Sequence, residues 1–144
     1  MILGDEILNS ELRKAKNLSD KHLMLFLLMN EWVKVKQANK SVSGYLLNRG
    51  YRRIAIYGMS YAGQRLYDEL MDSDVEIIAC IDQKGGGTYY NHGIVDAGKM
   101  PIDIDAIIVT PIFYFEEIKH SLEKSSTANI VSLEQIIYEL GESD

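Results

Sequence analysis

The stretch Gly58-Met-Ser-Tyr-Ala-Gly63 follows a short apolar run, Ile54-Ala-Ile-Tyr57, and leads into Gln64-Arg-Leu-Tyr67, whose spacing is helical. A strand that turns through glycines into a helix leaves the first helical amides unpaired and converging on one point, where an anion binds. In the dinucleotide-binding pattern the first glycine permits the tight turn. The second lets the backbone approach a pyrophosphate, and the third lets the helix lie close to the sheet. Gly58 fits the first role and Gly63 the third. The second position is Ser60, whose hydroxyl either bonds a phosphate oxygen or caps the helix with no ligand involved. Met59, Tyr61 and Ala62 complete the turn as candidate ligand contacts.

Asp82 ends the next apolar run, Val75-Glu-Ile-Ile-Ala-Cys-Ile81, about 20 residues beyond Gly63. A carboxylate there is placed to accept hydrogen bonds from ribose hydroxyls; its plain alternative is a solvated aspartate opening a turn. Gln83 adjoins it, and Lys84 bears on cofactor choice because a nearby cation tolerates a 2′-phosphate. Thr110-Pro111 closes another strand, Asp105-Ala-Ile-Ile-Val109. Thr110 sits on the strand edge where open α/β sheets bind ligands. It is equally readable as a cap for a helix starting at Phe113.

No set of residues adds a reaction. His22, His92 and His120 are scattered without metal-ligand spacing, though the glycine-rich loop around His92 is a candidate to fold over the site. Ser60 is flanked by Met59 and Tyr61, so there is no nucleophile elbow. No tyrosine has a lysine four positions on. Tyr57, Tyr61, Tyr67, Tyr89 and Tyr90 read as wall and surface aromatics, some able to stack on a base. No catalytic residue and no metal is assigned.

The elements that must hold these residues follow from periodicity. Ile54–Tyr57, Val75–Ile81, Asp105–Thr110 and Asn129–Ser132 are strands, with a brief one at Gly93–Val95. Helices fall over Ser60–Met71, Phe113–Lys124 and Leu133–Leu140. The expected fold is α/β, a Rossmann-like three-layer αβα arrangement with a mostly parallel sheet of four to five strands. Before it, residues 1–49 read as a helical extension packed on the core, and residues 50–144 as the nucleotide-binding domain. The extension divides into a helix over 1–17, a second over Lys21–Ala38 started by Ser19-Asp20, and a short third after Ser41 or Ser43 that stops at Gly50.

The 144 residues suit one domain with such an extension. With 47% hydrophobic and 25% charged residues the composition is that of a globular fold, and the net charge of −6 argues against nucleic acid as partner. No basic recognition helix supports a helix-turn-helix reading. The single cysteine, Cys80, excludes an intrachain disulfide. The N-terminus lacks the basic region of a secretory signal and no apolar run is long enough to span a bilayer, so a cytoplasmic location is expected.

On Gly50-Tyr-Arg-Arg-Ile-Ala-Ile-Tyr-Gly58, Ile77-Ile-Ala-Cys-Ile-Asp82 and Asp105-Ala-Ile-Ile-Val-Thr-Pro111, the chain resembles the NAD(P)-binding Rossmann-like domains found with bacterial surface-polysaccharide biosynthesis enzymes. The layout is similar to the N-terminal domains of sugar acyltransferases and polysaccharide-type nucleotide-sugar dehydratases. The likeness covers roughly residues 50 to 140. It implies NAD(P) or a nucleotide-sugar as ligand and a glycan-biosynthesis enzyme as partner. No acyltransferase β-helix or dehydratase catalytic region is present in the sequence, so those activities do not carry over. The leading reading is a non-catalytic or regulatory nucleotide-binding module. The alternatives are an interaction or oligomerisation protein with a degenerate site, forming a homodimer through its N-terminal helices, and a small oxidoreductase or methyltransferase-like enzyme.

Overall fold

A computed structural model of the chain describes residues 2–83, 85–101 and 103–142. Lys84, and with it the expectation about 2′-phosphate tolerance, lies outside the described residues.

Helix α1 runs without interruption over Ile2–Gln37, and α2 over Val42–Asn48. The expected break at Ser19-Asp20 is absent. Both residues are exposed, and an exposed serine or aspartate costs a helix interior only a few tenths of a kcal/mol, too little to end one. Ser41 does start α2, its hydroxyl accepting from the Gly44 amide at 3.0 Å.

From residue 53 strands and helices alternate: β1 (Arg53–Tyr57), α3 (Tyr61–Leu70), β2 (Glu76–Ile81), β3 (Thr88–Tyr89), β4 (His92–Val95), β5 (Ala106–Val109), α4 (Phe115–Glu123), β6 (Asn129–Ser132) and α5 (Leu133–Glu142). The sheet has six strands in the order β3-β4-β2-β1-β5-β6, one more than the upper expectation. All neighbours are parallel except β3 and β4. The extra strand comes from a small hairpin inside the glycine-rich segment. Tyr90 takes positive φ (49°) at its tip, and β4 then pairs with β2 through Cys80–Ile94 and Ile81–Val95.

Alternation along β1 divides the core. Ile54 and Ile56 face Leu28, Trp32 and Val35 of α1, together with Leu46, Leu66 and Ile136 of α2, α3 and α5. Ala55 faces the other way, with Ile107, Val109 and Leu122 of α4. The sheet is thus covered by helices on both sides, which is why β5 reads as an unbroken apolar run. α1 docks only through its second half. Residues 4–23 are exposed except for the half-buried Ser10.

A single carboxylate joins α1, α2 and α3. Glu69 accepts from the Trp32 indole N–H at 2.8 Å and from the Val42 amide at 2.7 Å, and Lys36 lies 3.5 Å away. No described helix is long and apolar enough to cross a membrane.

Candidate functional site

β1 lies centrally in the sheet between β2 and β5, so its C-terminal end opens where flanking strands leave room. Gly58 there has φ +95°, a conformation that disfavours any side chain. A Cβ on it would also come within 2.5 Å of the Thr110 hydroxyl and 2.7 Å of Pro111 Cδ. Gly63 is required for a separate reason. A Cβ there would drive into the carbonyl of Gly58, so α3 lies against the turn only because residue 63 has no side chain. These are the first and third glycine roles, each imposed by a named neighbour.

The first amide of α3 to bond back is that of Gln64, to the Ser60 carbonyl at 3.0 Å. The amides of Tyr61, Ala62 and Gly63 therefore form the helix's open first turn. Ser60 occupies the cap position, but its side chain makes no capping bond. Ser60 borders two adjoining cavities.

The larger cavity, about 540 Å³, is lined by Tyr57, Gly58, Ser60, Asp82, Gln83, Pro111, and by Phe113, Tyr114 and Glu117 of the β5–α4 connection. The smaller, about 260 Å³, adds Ala62 and Thr110 and is bordered by Lys21 and Leu25 of α1. The Lys21 ammonium lies 6.0 Å from the Phe113 ring centre and 5.8 Å from that of Tyr114, within cation–π reach. Tyr114 takes φ 66°, a strained value for an aromatic residue, at the mouth of the larger cavity.

Asp82 faces the turn. Its Oδ2 accepts from the Met59 amide at 2.9 Å and its Oδ1 from the Gln83 amide at 2.7 Å. Each carboxylate oxygen retains further lone-pair capacity. Burial, with this carboxylate nearby, pushes the Tyr57 phenol up, keeping it neutral.

Several sequence expectations change at this point. Thr110 is buried, and its single hydroxyl proton is directed at the Gly58 carbonyl (2.7 Å), with Tyr57 O at 3.1 Å. It braces the turn from behind and caps no helix; α4 begins at Phe115, after Tyr114. The Met59 side chain is in the core, and only its amide faces Asp82. Tyr61 is 73% exposed and borders neither cavity. His92 does not fold over the site. Its Nδ1 pairs with Tyr67 OH at 2.7 Å and its Nε2 with Ile77 O at 2.9 Å. The carbonyl can only accept, so Nε2 carries the proton and Nδ1 receives the tyrosine hydroxyl. Tyr67, Tyr89 and Tyr90 pack on one another and anchor the hairpin to α3. No described group of three or more histidine, cysteine, aspartate or glutamate side chains is arranged to hold a metal.

The β1–turn–α3 unit and the Asp82 strand lie within residues 50–131, which match the family described as C2185-like, N-terminal. The chain belongs to that family. Neither the curated proteins nor the solved structures yield a match. The C2185-like region contains every lining residue named above except Lys21 and Leu25, which α1 brings from outside it. Sequence reading missed these two because nothing local marks a residue that reaches a site from a distant helix. Phe113, Tyr114 and Glu117 had a signal, since they follow Pro111 at the strand edge where ligands bind.

Proposed function

We infer that the chain is a nucleotide-binding module of Rossmann-like three-layer αβα type, with NAD(P) or a nucleotide-sugar as ligand and no catalysis of its own. The observation that carries this reading is the open first turn of α3, set beside a hydroxyl with no capping role and a cavity large enough for part of a nucleotide. A phosphate would meet the amides of Tyr61 and Ala62 with the Ser60 hydroxyl, since the Met59 amide is already taken by Asp82. The free lone pairs of Asp82 would accept from a ribose, and Phe113 with Tyr114 would supply apolar wall. The resemblance to domains of surface-polysaccharide biosynthesis supports a partner among glycan-assembly enzymes, and a cytoplasmic location is part of the same reading.

The test is thermal unfolding of the chain with NAD+, NADH, NADP+ or UDP-sugars at millimolar concentration. A ligand at 100 times its Kd adds about 2.7 kcal/mol, a rise of several degrees for a domain of this size. The same ligand should give no rise with Ser60→Glu, which places a carboxylate where the phosphate would lie. No shift with any of these ligands overturns the reading.

One observation favours a second reading. The Asp82 carboxylate already neutralises one amide of the turn, and Glu117 adds another negative charge to the cavity wall. A turn satisfied from within is what a scaffold with a degenerate site would show. In that case α1 carries the function.

A further inference from the structure

α1 has a second apolar face that the domain does not use. The docked side is Leu25, Leu28, Trp32 and Val35. On the other side, Leu8, Leu12, Ala15, Ser19, His22, Phe26, Met29 and Val33 recur at alternating steps of four and three residues, with Met29 half-buried against the core at the end of the row. This is the seven-residue repeat of a coiled-coil seam, with Leu12, Ser19, Phe26 and Val33 at one core position and the others at its complement. Leu8, Leu12, Phe26 and Val33 are each more than half exposed. A strict repeat of this period needs another helix, because a single helix laid on a sheet shows 3.6-residue spacing. Moreover, residues 4–20 of α1 are exposed apart from the half-buried Ser10, so no packing of an amphipathic face supports this half of the helix within the domain.

We propose that two copies of this chain pair through α1 as a parallel, in-register coiled coil. Charge selects the partner and its direction. Glu11 precedes the Leu12 core position and Lys16 follows it, the two flanking sites that meet across a parallel pair. Glu11 of each copy therefore faces Lys16 of the other, giving two symmetric ion pairs. The seam then runs directly into a groove of about 450 Å³ lined by Met29, Trp32, Val33, Lys36, Arg65 and Glu69. The partner helix would cover that groove. The polar layers at Ser19 and His22 weaken the seam but fix its register, as single polar core positions do in two-stranded coils. The two domains lie on the outer sides of the pair, because each docks on the face away from the seam. This pairing does not depend on any nucleotide being bound.

Sedimentation equilibrium of the full chain should give twice the 16.3 kDa monomer mass. Leu12→Glu and Phe26→Glu should each give monomers that lose part of the far-UV helical signal, from the unpaired first half of α1, while the domain keeps its cooperative urea transition, since neither side chain is buried in it. Ser19→Leu should tighten the dimer by at least tenfold, which a general loss of folding cannot imitate. Asn17→Ala, off the seam, should leave the mass unchanged. Under oxidation, Leu12→Cys and Phe26→Cys should both cross-link, because parallel in-register helices bring both pairs together. Cross-linking at one position but not the other overturns the parallel arrangement. A monomer at high micromolar concentration overturns the proposal whatever else the chain binds.

Discussion

The carboxylate of Asp82 closes on the backbone amide of Met59 at 2.9 Å, tying the end of β2 to the turn after β1. Its other oxygen holds the Gln83 amide, so one side chain fixes the entry to both loops of the candidate site. Removing it leaves two backbone donors without their partner. Asp82→Ala should lower stability by about 1–3 kcal/mol. Asp82→Asn should cost less, since its one carbonyl oxygen keeps one of the two bonds. Urea unfolding checks the ranking wild type, Asn, Ala. Equal midpoints for all three would mean that the clamp contributes nothing.

Gly63→Ala should be costly for a reason unrelated to backbone freedom. The added methyl meets the Gly58 carbonyl, and a rigid backbone group cannot move aside as a side-chain tip can. Overpacking of this kind costs about 1–3 kcal/mol. Gly4→Ala in the exposed part of α1, where nothing lies within 4 Å, should be neutral or mildly stabilising through helix propensity. Denaturation midpoints of the two variants should therefore move in opposite directions or by very different amounts.

These two contacts also show which features could be read from sequence. Gly58 and Gly63 are legible because each depends on neighbours near in sequence, whereas Asp82 is legible in place only, its bond to the Met59 amide being set by the β1–β2 pairing. Thr110 was legible in place but not in role. The direction of its hydroxyl is set by the β1–β5 pairing, which brings the Gly58 carbonyl to it. The continuity of α1 is not legible, because Ser19-Asp20 is a start signal only where the chain before it is not already helical. Of the β3–β4 hairpin, the strand at Gly93–Val95 is legible and that at Thr88–Tyr89 is not. A turn held by Tyr90 at positive φ, with a tyrosine cluster beneath it, carries none of the usual glycine or asparagine cues at that position.

Tyr114 holds a left-handed conformation at the mouth of the larger cavity, where an aromatic residue is strained. Strain of this kind persists where the surrounding structure over-determines it, and it clusters at functional sites. Tyr114→Asn relieves it, because asparagine tolerates that region, and should raise stability by about 0.5–1 kcal/mol. The same change removes an aromatic wall and should weaken nucleotide binding. Chemical denaturation and calorimetric titration on one sample measure both. A gain in stability with unchanged affinity would remove Tyr114 from the site.

Glu69 joins three helices through two charge-assisted bonds, to the Trp32 indole and the Val42 amide. Glu69→Ala strands both donors at a largely buried junction and should cost about 2–4 kcal/mol. The sequence has one tryptophan, so Trp32 emission reports on this junction alone. A shift to longer wavelength, before global unfolding, should mark α1 lifting from α3. Unchanged emission and stability would show that packing of Leu28 and Val35 suffices to dock the helix.

The Tyr45 hydroxyl donates to Glu139 Oε2 at 2.5 Å, joining α2 to α5, and the Arg49 guanidinium covers the Tyr45 ring at 3.4 Å. Burial and then the Glu139 bond push the Tyr45 phenol up to about 12. The same bond, followed by that from Gln135, lowers the Glu139 carboxyl. The two shifts act at opposite ends of the pH range. A lowered carboxyl stabilises the fold above its unfolded value, and this contribution disappears as pH falls through the folded value, below the ordinary glutamate range near 4.3. A raised phenol stabilises the fold fully below about 10, its unfolded value, and this is lost as pH climbs toward about 12. Tyr45→Phe removes the donor and the titrating phenol together. Its stability should therefore fall less steeply than the wild type at both the acid and the alkaline end, while being lower in between. Urea midpoints measured across the range decide this, and parallel curves for the two proteins would show that the Tyr45–Glu139 bond does not hold α2 to α5.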